Sequence, residues 1–277
     1  MSLRIATNIP SIAAQKTLEG TTRNLEKSYT QLSSGSRITK AADDAAGLSI
    51  SETLKSTIRG YRQAQRNASD AISMVQVSEG GLSEVSNILS RLRELGVNAA
   101  SDTIGNKERG FINLEVDQLK NEVQRISQTT RYGDVKLLDG SGDKYDFQVD
   151  INNDEFADRI SFDAGAQNIQ VDEIGIGDFD FSTKDGAREA LETLEMAQQT
   201  VNGQRAVLGA IQNRLISTQE NLGTSIENFS AANSRIRDTD VAESSAELAK
   251  NQVLQQATIG ILSQANQSTT TALKLVG

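Results

Sequence analysis

Two stretches of the chain carry apolar residues at every seventh position. In the later one, Leu194, Val201, Leu208, Leu215, Leu222, Phe229 and Ile236 recur with no proline between them, and Ala197, Ile211 and Ile226 lie near the intermediate positions. Such a repeat keeps one stripe of a slightly under-wound helix turned toward a partner, so it calls for a second long helix with the same repeat. Leu54, Tyr61, Ala68, Val75, Leu82 and Leu89 supply it, widened by Ile58, Ile72, Val85 and Leu92. A helix over residues 44–99 would be roughly 80 Å long. The two repeats together predict a coiled-coil rod instead of a globule.

Around this seam the pattern predicts shorter elements. Residues 11–32 form a first helix with Ile5, Ile12, Leu18, Leu25, Tyr29 and Leu32 as a loose apolar stripe, stopped by Ser33-Ser34-Gly35. Asp43 and Asp44 follow a connector at 36–42 and stand where carboxylates favour a helix N-terminus. Gly60 and the pair Gly80-Gly81 weaken the long helix and allow bending or close packing. Ile112, Val116, Leu119, Val123 and Ile126 mark a third helix. Between 132 and 182 the period falls to two: Tyr145, Phe147, Val149 and Ile151 alternate with polar residues, and Ile160 with Phe162 repeats the pattern after Asn152-Asn153-Asp154. This predicts a hairpin, with 169–176 as a further strand. A last helix carries Leu248, Leu254, Ile261, Leu262, Leu273 and Leu275. Each chain end is thus a lone amphipathic helix, and the simplest partner for each is the other. The expected fold is mostly α: an elongated antiparallel coiled-coil and helix-bundle rod with a small β-hairpin region and paired N- and C-terminal helices.

Composition supports a helical core. The 277 residues include no Trp, His or Cys, one Pro, seven Phe and four Tyr. Without His and Cys, thiolate chemistry, disulfides, imidazole acid–base catalysis and the usual transition-metal sites are lost together, which argues against an ordinary enzyme. The net charge of −9 is concentrated: residues 139–185 hold 13 acidic side chains against Lys144, Arg159 and Lys184, leaving about +1 for the remainder. No stretch reads as a basic stripe for phosphate, so no nucleic-acid partner is expected. No apolar run approaches the ~18 residues that would cross a bilayer, so no membrane insertion is expected either. Arg4, Asn8 and Lys16 interrupt the N-terminus, which lacks the apolar segment of a secretory signal. On these residues alone the chain reads as cytoplasmic.

Candidate chemical motifs have plainer readings. Asp150-x-Asn152-x-Asp154 alternates oxygen ligands as a calcium loop does, but Glu155 stands where the turn wants Gly and Ser161 where a bidentate Glu is needed. Gly140-Ser141-Gly142-Asp143-Lys144 lacks the spacing of a phosphate loop and reads as a turn. Arg91-Leu92-Arg93-Glu94-Leu95 reads as the solvated edge of a coiled coil, with Leu92 and Leu95 on the apolar side. No cofactor is expected.

Longer segments carry a resemblance. LSSGSRITKAADDAAGLSISETL (32–54), RNASDAISMVQVSEGGLSEVSNILSRLRELGVNAA (66–100) and YGDVKLLDG (132–140) resemble the N-terminal half of bacterial flagellin. GQRAVLGAIQNRL (203–215), ANSRIRDTDVAESSAELAKNQVLQQA (232–257) and SQANQ (263–267) resemble its C-terminal half, in order and spacing.

The resemblance implies a structural subunit that polymerises into the flagellar filament for swimming motility; the alternative is a hook–filament junction protein of the hook-associated class. It implies that 1–40 and 241–277 pair as inner-tube helices, that 41–237 forms the rod, and that the outer globular domains of many flagellins are absent. The connectors 36–42 and 237–240 would be spokes, with Arg37 and Lys40 facing Asp238 and Asp240, beside Asp43 and Asp44. The resemblance further implies an extracellular location reached by type III export without a cleaved signal peptide, with an export chaperone, hook-associated proteins and cap proteins as partners. Recognition by the vertebrate Toll-like receptor for flagellin would carry over onto Arg91, Leu95 and Glu115.

Overall fold

The computed structural model describes residues 7–276, with side chains through Gln267. Among the described residues five helices, α1 (Ile9–Ser34), α2 (Ala45–Ala99), α3 (Asn106–Thr129), α4 (Lys184–Arg237) and α5 (Val241–Val276), account for most of the structure. Four short strands, β1 (Arg131–Tyr132), β2 (Val135–Lys136), β3 (Lys144–Gln148) and β4 (Arg159–Asp163), lie between α3 and α4. The chain divides into two compact units: Thr57–Glu227, and Met1–Ser56 with Asn228–Gly277.

In the unit Thr57–Glu227, α2 and α4 run antiparallel. Gln219 Nε2 donates to Ser69 Oγ (3.1 Å) and Gln198 Nε2 to Ser86 Oγ (2.8 Å), so one index falls as the other rises. Arg205 lies 3.8 Å from Glu79 and Arg93 3.4 Å from Glu195, flanking the same seam. The seam buries Ala68, Val75, Leu82 and Leu89 of α2 against Leu194, Val201, Leu208, Leu215 and Leu222 of α4. Ala64, Ala71 and Ser78 fill the alternate positions on α2 and are buried too. Burial of each large side chain contributes about 1.5–3 kcal/mol, so this stripe is a substantial apolar contribution to the unit.

The third helix closes the bundle with Val116, Val123 and Ile126 buried against it. Its start is fixed by Arg109, a buried guanidinium that donates to Ala99 O and Ser101 O (both 2.8 Å) and to Asn106 Oδ1 (2.9 Å). Arg109 thereby satisfies carbonyls that the C-terminus of α2 leaves without helical partners. Lys120 acts similarly on the loop before α4, donating to Gly177 O (3.0 Å) and Phe179 O (2.6 Å) while its ammonium sits 4.2 Å from the centre of the Phe179 ring. Phe179 in turn stacks on Phe181, whose ring is fully buried.

The β region lies against the bundle. β3 and β4 pair antiparallel, with Tyr145 opposite Phe162 and Phe147 opposite Ile160. β1 and β2 form a second, smaller hairpin around Gly133, whose φ of 60 suits the tight turn. Residues 169–176, expected as a strand, are instead a run of turns: Ile174 N–H bonds to Gln170 O and Ile176 N–H to Val171 O, with Gly175 at φ 75. The turns let Ile169, Ile174 and Ile176 all reach the core, where a strand would have turned odd and even positions to opposite faces. The expected hairpin turn is also wider than Asn152-Asn153-Asp154, since Val149 N–H closes on Asp158 O (2.8 Å).

The glycines of α2 do not break it. A Cβ at Gly81 would come within 2.6 Å of Leu138 Cδ1 and 2.9 Å of Thr130 Oγ1, whereas one at Gly80 would meet nothing within 4 Å. Adjacent Gly→Ala changes therefore have opposite signs. Gly80→Ala raises stability by about 0.5–1 kcal/mol through helix propensity, and Gly81→Ala lowers it by about 1–3 kcal/mol through overpacking. Urea unfolding of the two variants beside the parent measures both.

Candidate assembly surfaces

The unit made from the chain ends has a different kind of seam. α1 and α5 pair antiparallel: Asn8 Nδ2 donates to Ala265 O (2.9 Å), Ser11 Oγ to Asn266 Oδ1 (3.0 Å) and Gln252 Nε2 to the Tyr29 hydroxyl (3.0 Å). The buried positions are Ser11, Ala14, Thr21 and Ser28 on α1, and Ser244, Thr258 and Ala265 on α5. Thr21 Oγ1 and Thr258 Oγ1 donate back to Thr17 O and Leu254 O of their own helices, so these short side chains fill the seam with their hydroxyls paired. Of the stripe expected on α1, Leu18, Leu25 and Leu32 are only half-buried, and Ile12 and Tyr29 face solvent. On α5, Leu248 and Leu262 are half-buried while Leu254 and Ile261 are exposed. Ile5 and the side chains of Leu273 and Leu275 lie outside the described residues. The apolar stripes expected to join the two helices thus lie partly elsewhere. Ile9 and Ile12 (each 57% exposed), Val253 (65%), Ile259 (52%) and Ile261 (60%) point away from the seam.

Lower in this unit, Leu54, Phe229 and Ile236 are half-buried, and Ser51 Oγ donates to Asn233 Oδ1 (2.8 Å). The two connectors meet through their backbones. Ser36 and Asp238 form an antiparallel bridge, Arg37 N–H donates to Arg237 O (2.7 Å) and Thr239 N–H to Gly35 O (3.1 Å). Gly35, in the left-handed region at φ 67, turns the chain out of α1 into this bridge.

Charge pairing here differs from the expected one. Arg37 does not pair with Asp238 or Asp240; its guanidinium donates to Ile236 O (2.8 Å) and lies 3.8 Å from Asp44. Asp240 is occupied as the N-cap of α5, accepting from Ala242 N–H and Glu243 N–H. Lys40 is exposed, and among the described residues it makes no ion pair. The reason is geometric: main-chain pairing sets the connectors, and each side chain then bonds to whatever donor or carbonyl is nearest. Asp44 does cap α2, accepting from Gly47 N–H (2.8 Å). Asp43 does not; it accepts from Thr39 N–H, Thr39 Oγ1 and Lys40 N–H, and sits 3.0 Å from Lys27 Nζ of α1. Sequence reasoning missed Lys27 and Thr39 in this clasp because they lie on another element and in a featureless connector. It also missed the ion pair of Arg237 with Glu52.

On the Thr57–Glu227 unit, Arg91 bonds to Glu115 Oε1 through both Nε (3.0 Å) and Nη2 (2.9 Å), and to Glu94 (3.0 Å). Arg91 and Glu115 are exposed to solvent around this pair, but Leu95 is 5% exposed and belongs to the core. The three residues are therefore neighbours without forming one open patch. Among the described residues no cluster of three or more Asp or Glu could hold a metal ion, and no helix is long and apolar enough to cross a membrane. Asp154, in the calcium-like motif, spends its carboxylate on Phe156 N–H and Ala157 N–H.

Residues 5–143 match the model of the bacterial flagellin N-terminal helical region, and residues 191–276 that of the C-terminal helical region. The chain belongs to the bacterial flagellin family. A flagellin of Halalkalibacterium halodurans is 38% identical over 269 residues, covering 97% of this chain and 98% of that protein. A flagellar filament core protein of Brachyspira hyodysenteriae is 40% identical over 285 aligned positions, covering 98% and 99%. In structure, the chain is similar to Bacillus cereus flagellin, with a TM-score of 0.51 and 28% identity over 57% of this chain and 88% of that one. A putative flagellar hook-associated protein of Vibrio parahaemolyticus shares the fold, with a TM-score of 0.59 at 14% identity over 71% of this chain and 100% of that one. At that identity the likeness is one of fold alone. This flagellin-family chain keeps its paired helices and connectors within the matched regions, whereas residues 144–190, with β3, β4 and the acidic loop, fall between them.

The Asp43 clasp has a pH signature. Lys27, the Lys40 N–H and the Thr39 hydroxyl and N–H hold the Asp43 carboxyl well below the usual carboxylate range. A depressed folded-state value means that the contribution is complete above the unfolded value of ~3.9 and is lost as pH falls below it. Thermal melts between pH 6 and pH 2 are expected to fall more steeply for the parent than for Asp43→Asn, the two curves converging at the acid end.

Proposed function

We propose that this protein is the repeating subunit of a bacterial flagellar filament, a structural protein without catalytic activity. The observation that carries the reading is the terminal helix pair. Its seam is lined by short, mostly polar side chains, and Ile9, Ile12, Val253, Ile259 and Ile261 are turned outward. A helix pair that spends its apolar residues on the outside leaves them for neighbouring copies to bury. Contacts of this heterologous kind add subunits without closing a ring, which generates a helical filament. Relatives of nearly equal length named as flagellin and as filament core proteins support this reading over that of a hook–filament junction protein.

On this reading 1–40 and 241–277 form the inner tube, 41–237 the surrounding rod, and the bridged connectors with Arg37, Lys40, Asp43, Asp44, Asp238 and Asp240 the spokes. The subunit would leave the cytoplasm through the type III pathway with its N-terminus intact, escorted by a chaperone on the C-terminal helix. It would then assemble outside the cell between hook-associated and cap proteins. In a vertebrate host, Arg91 and Glu115 would supply the receptor-facing charges, with Leu95 holding that helix in place from inside.

Electron microscopy after adding filament seeds or a precipitating salt tests the polymer. Long uniform filaments are expected from the intact chain and none from a chain trimmed of 1–40 and 241–277; short caps alone would point to a junction protein. Ile12→Asp and Ile261→Asp are expected to keep the parent's helix content and lose polymerisation. The receptor assignment has its own check. Arg91→Ala lowers Toll-like receptor activation at unchanged melting temperature, whereas Leu95→Ala costs about 2–5 kcal/mol of stability as a core truncation.

A further inference from the structure

The acidic surplus of this chain lies mostly in 139–185, yet three arginines stand together elsewhere. Arg59, Arg62 and Arg66 occupy i, i+3 and i+7 on α2, all exposed, on the side opposite the buried Ala64, Ala68 and Ala71. The sequence hides this stripe because neutral residues separate the arginines, and only helical winding gathers them. Arg66 donates to Gln63, but among the described residues none of the three forms an ion pair. Like charges at this spacing repel one another along a helix. An unpaired, self-repelling stripe is stabilised when an opposite one is laid on it.

The chain carries such a stripe. Asp185, Glu189 and Glu192 occupy i, i+4 and i+7 at the start of α4, exposed and opposite the buried Ala187, Ala190 and Leu194. They too form no ion pair among the described residues. The antiparallel register of α2 and α4 puts this acidic stripe level with the C-terminal end of α2, where Glu195 meets Arg93. It therefore lies roughly 50 Å along the bundle from Arg59, Arg62 and Arg66. The two cannot meet within one molecule. Both stripes sit in the Thr57–Glu227 unit, so their separation is set by rigid helices.

We propose that the Arg59–Arg62–Arg66 face of α2 docks on the Asp185–Glu189–Glu192 face of α4 in a second copy of the chain, as one of the contacts that extend the filament. The proposal rests on the filament reading above and supplies it with a pair of surfaces. Matching spacings of three to four residues let three charges on each helix oppose one another. Because the two surfaces are different and lie far apart on each copy, the contact is heterologous and leaves a free stripe at each end for the next copy. Charged contacts of this type govern the rate and salt dependence of association more than its final strength.

Seeded elongation followed by light scattering tests the contact with three full-length variants. R59E/R62E/R66E and D185K/E189K/E192K are each expected to slow elongation by about tenfold or more at low salt, with unchanged circular dichroism and melting temperature. The sixfold variant carrying both sets has opposite stripes again, and is expected to recover elongation to near the parent rate. Parent-like elongation of either triple variant overturns the proposal. So does a sixfold variant as slow as the triples, since the stripes would then be meeting something other than each other. Failure of the parent itself to elongate from seeds would instead count against the filament reading, and so is distinguishable.

Discussion

The antiparallel apposition of α2 with α4 fixes where everything else can go. Two helices of more than fifty residues need an unbroken stripe of apolar contact, because no other part of the chain is long enough to cover them. The stripe runs through Val75, Leu82 and Leu89 on one side and Val201, Leu208 and Leu215 on the other, all essentially without solvent contact. α3 and the β region then cover the flanks that this pair leaves open, and the polar cross-links Gln198–Ser86 and Gln219–Ser69 hold its register. Ile151 and Leu138 come close to α2 at Gly60 and Gly81, where a Cβ would clash with them.

The two units follow opposite strategies with the same α-helical geometry. In the Thr57–Glu227 unit, the large aliphatic residues of the α2–α4 heptad stripe are buried between the two helices. In the α1–α5 pair, serine, threonine and alanine face inward, while Ile9, Ile12, Val253, Ile259 and Ile261 face outward. A helix pair built that way gains little from its own seam, since short polar side chains bury little apolar area. Those larger apolar residues are left on the outside instead.

The long seam was legible in the sequence because a heptad of large apolar residues has no other common explanation. The helix boundaries at Gly35 and near Ala99 and the existence of the β3–β4 hairpin followed from equally plain signals. The seam of α1 with α5 was not legible, because its buried positions are Ser11, Thr21, Ser28, Ser244 and Thr258, residues that a hydrophobic pattern scores as surface. The turns at 170–175 were misread as strand because a short apolar run reveals neither its φ angles nor its neighbours. The two-residue hairpin β1–β2 had a signal in Tyr132-Gly133-Asp134-Val135, too brief to stand without pairing partners in view.

By itself, then, the sequence determined the helical class, the length and partnership of the two principal helices, and the family, since these depend on periodicity and on long ordered motifs. The tertiary structure alone decided which charges meet and which surfaces stay open. It turned Asp43 from a cap into a clasp with Lys27, gave Arg37 to Ile236 and Asp44, and buried Arg109 under the end of α2. Periodicity is a property of one helix and can be read along the chain. Side-chain pairing depends on distances of a few ångströms between residues near or far along the chain, from Arg37 with nearby Asp44 to Arg37 with distant Ile236, which only folding sets.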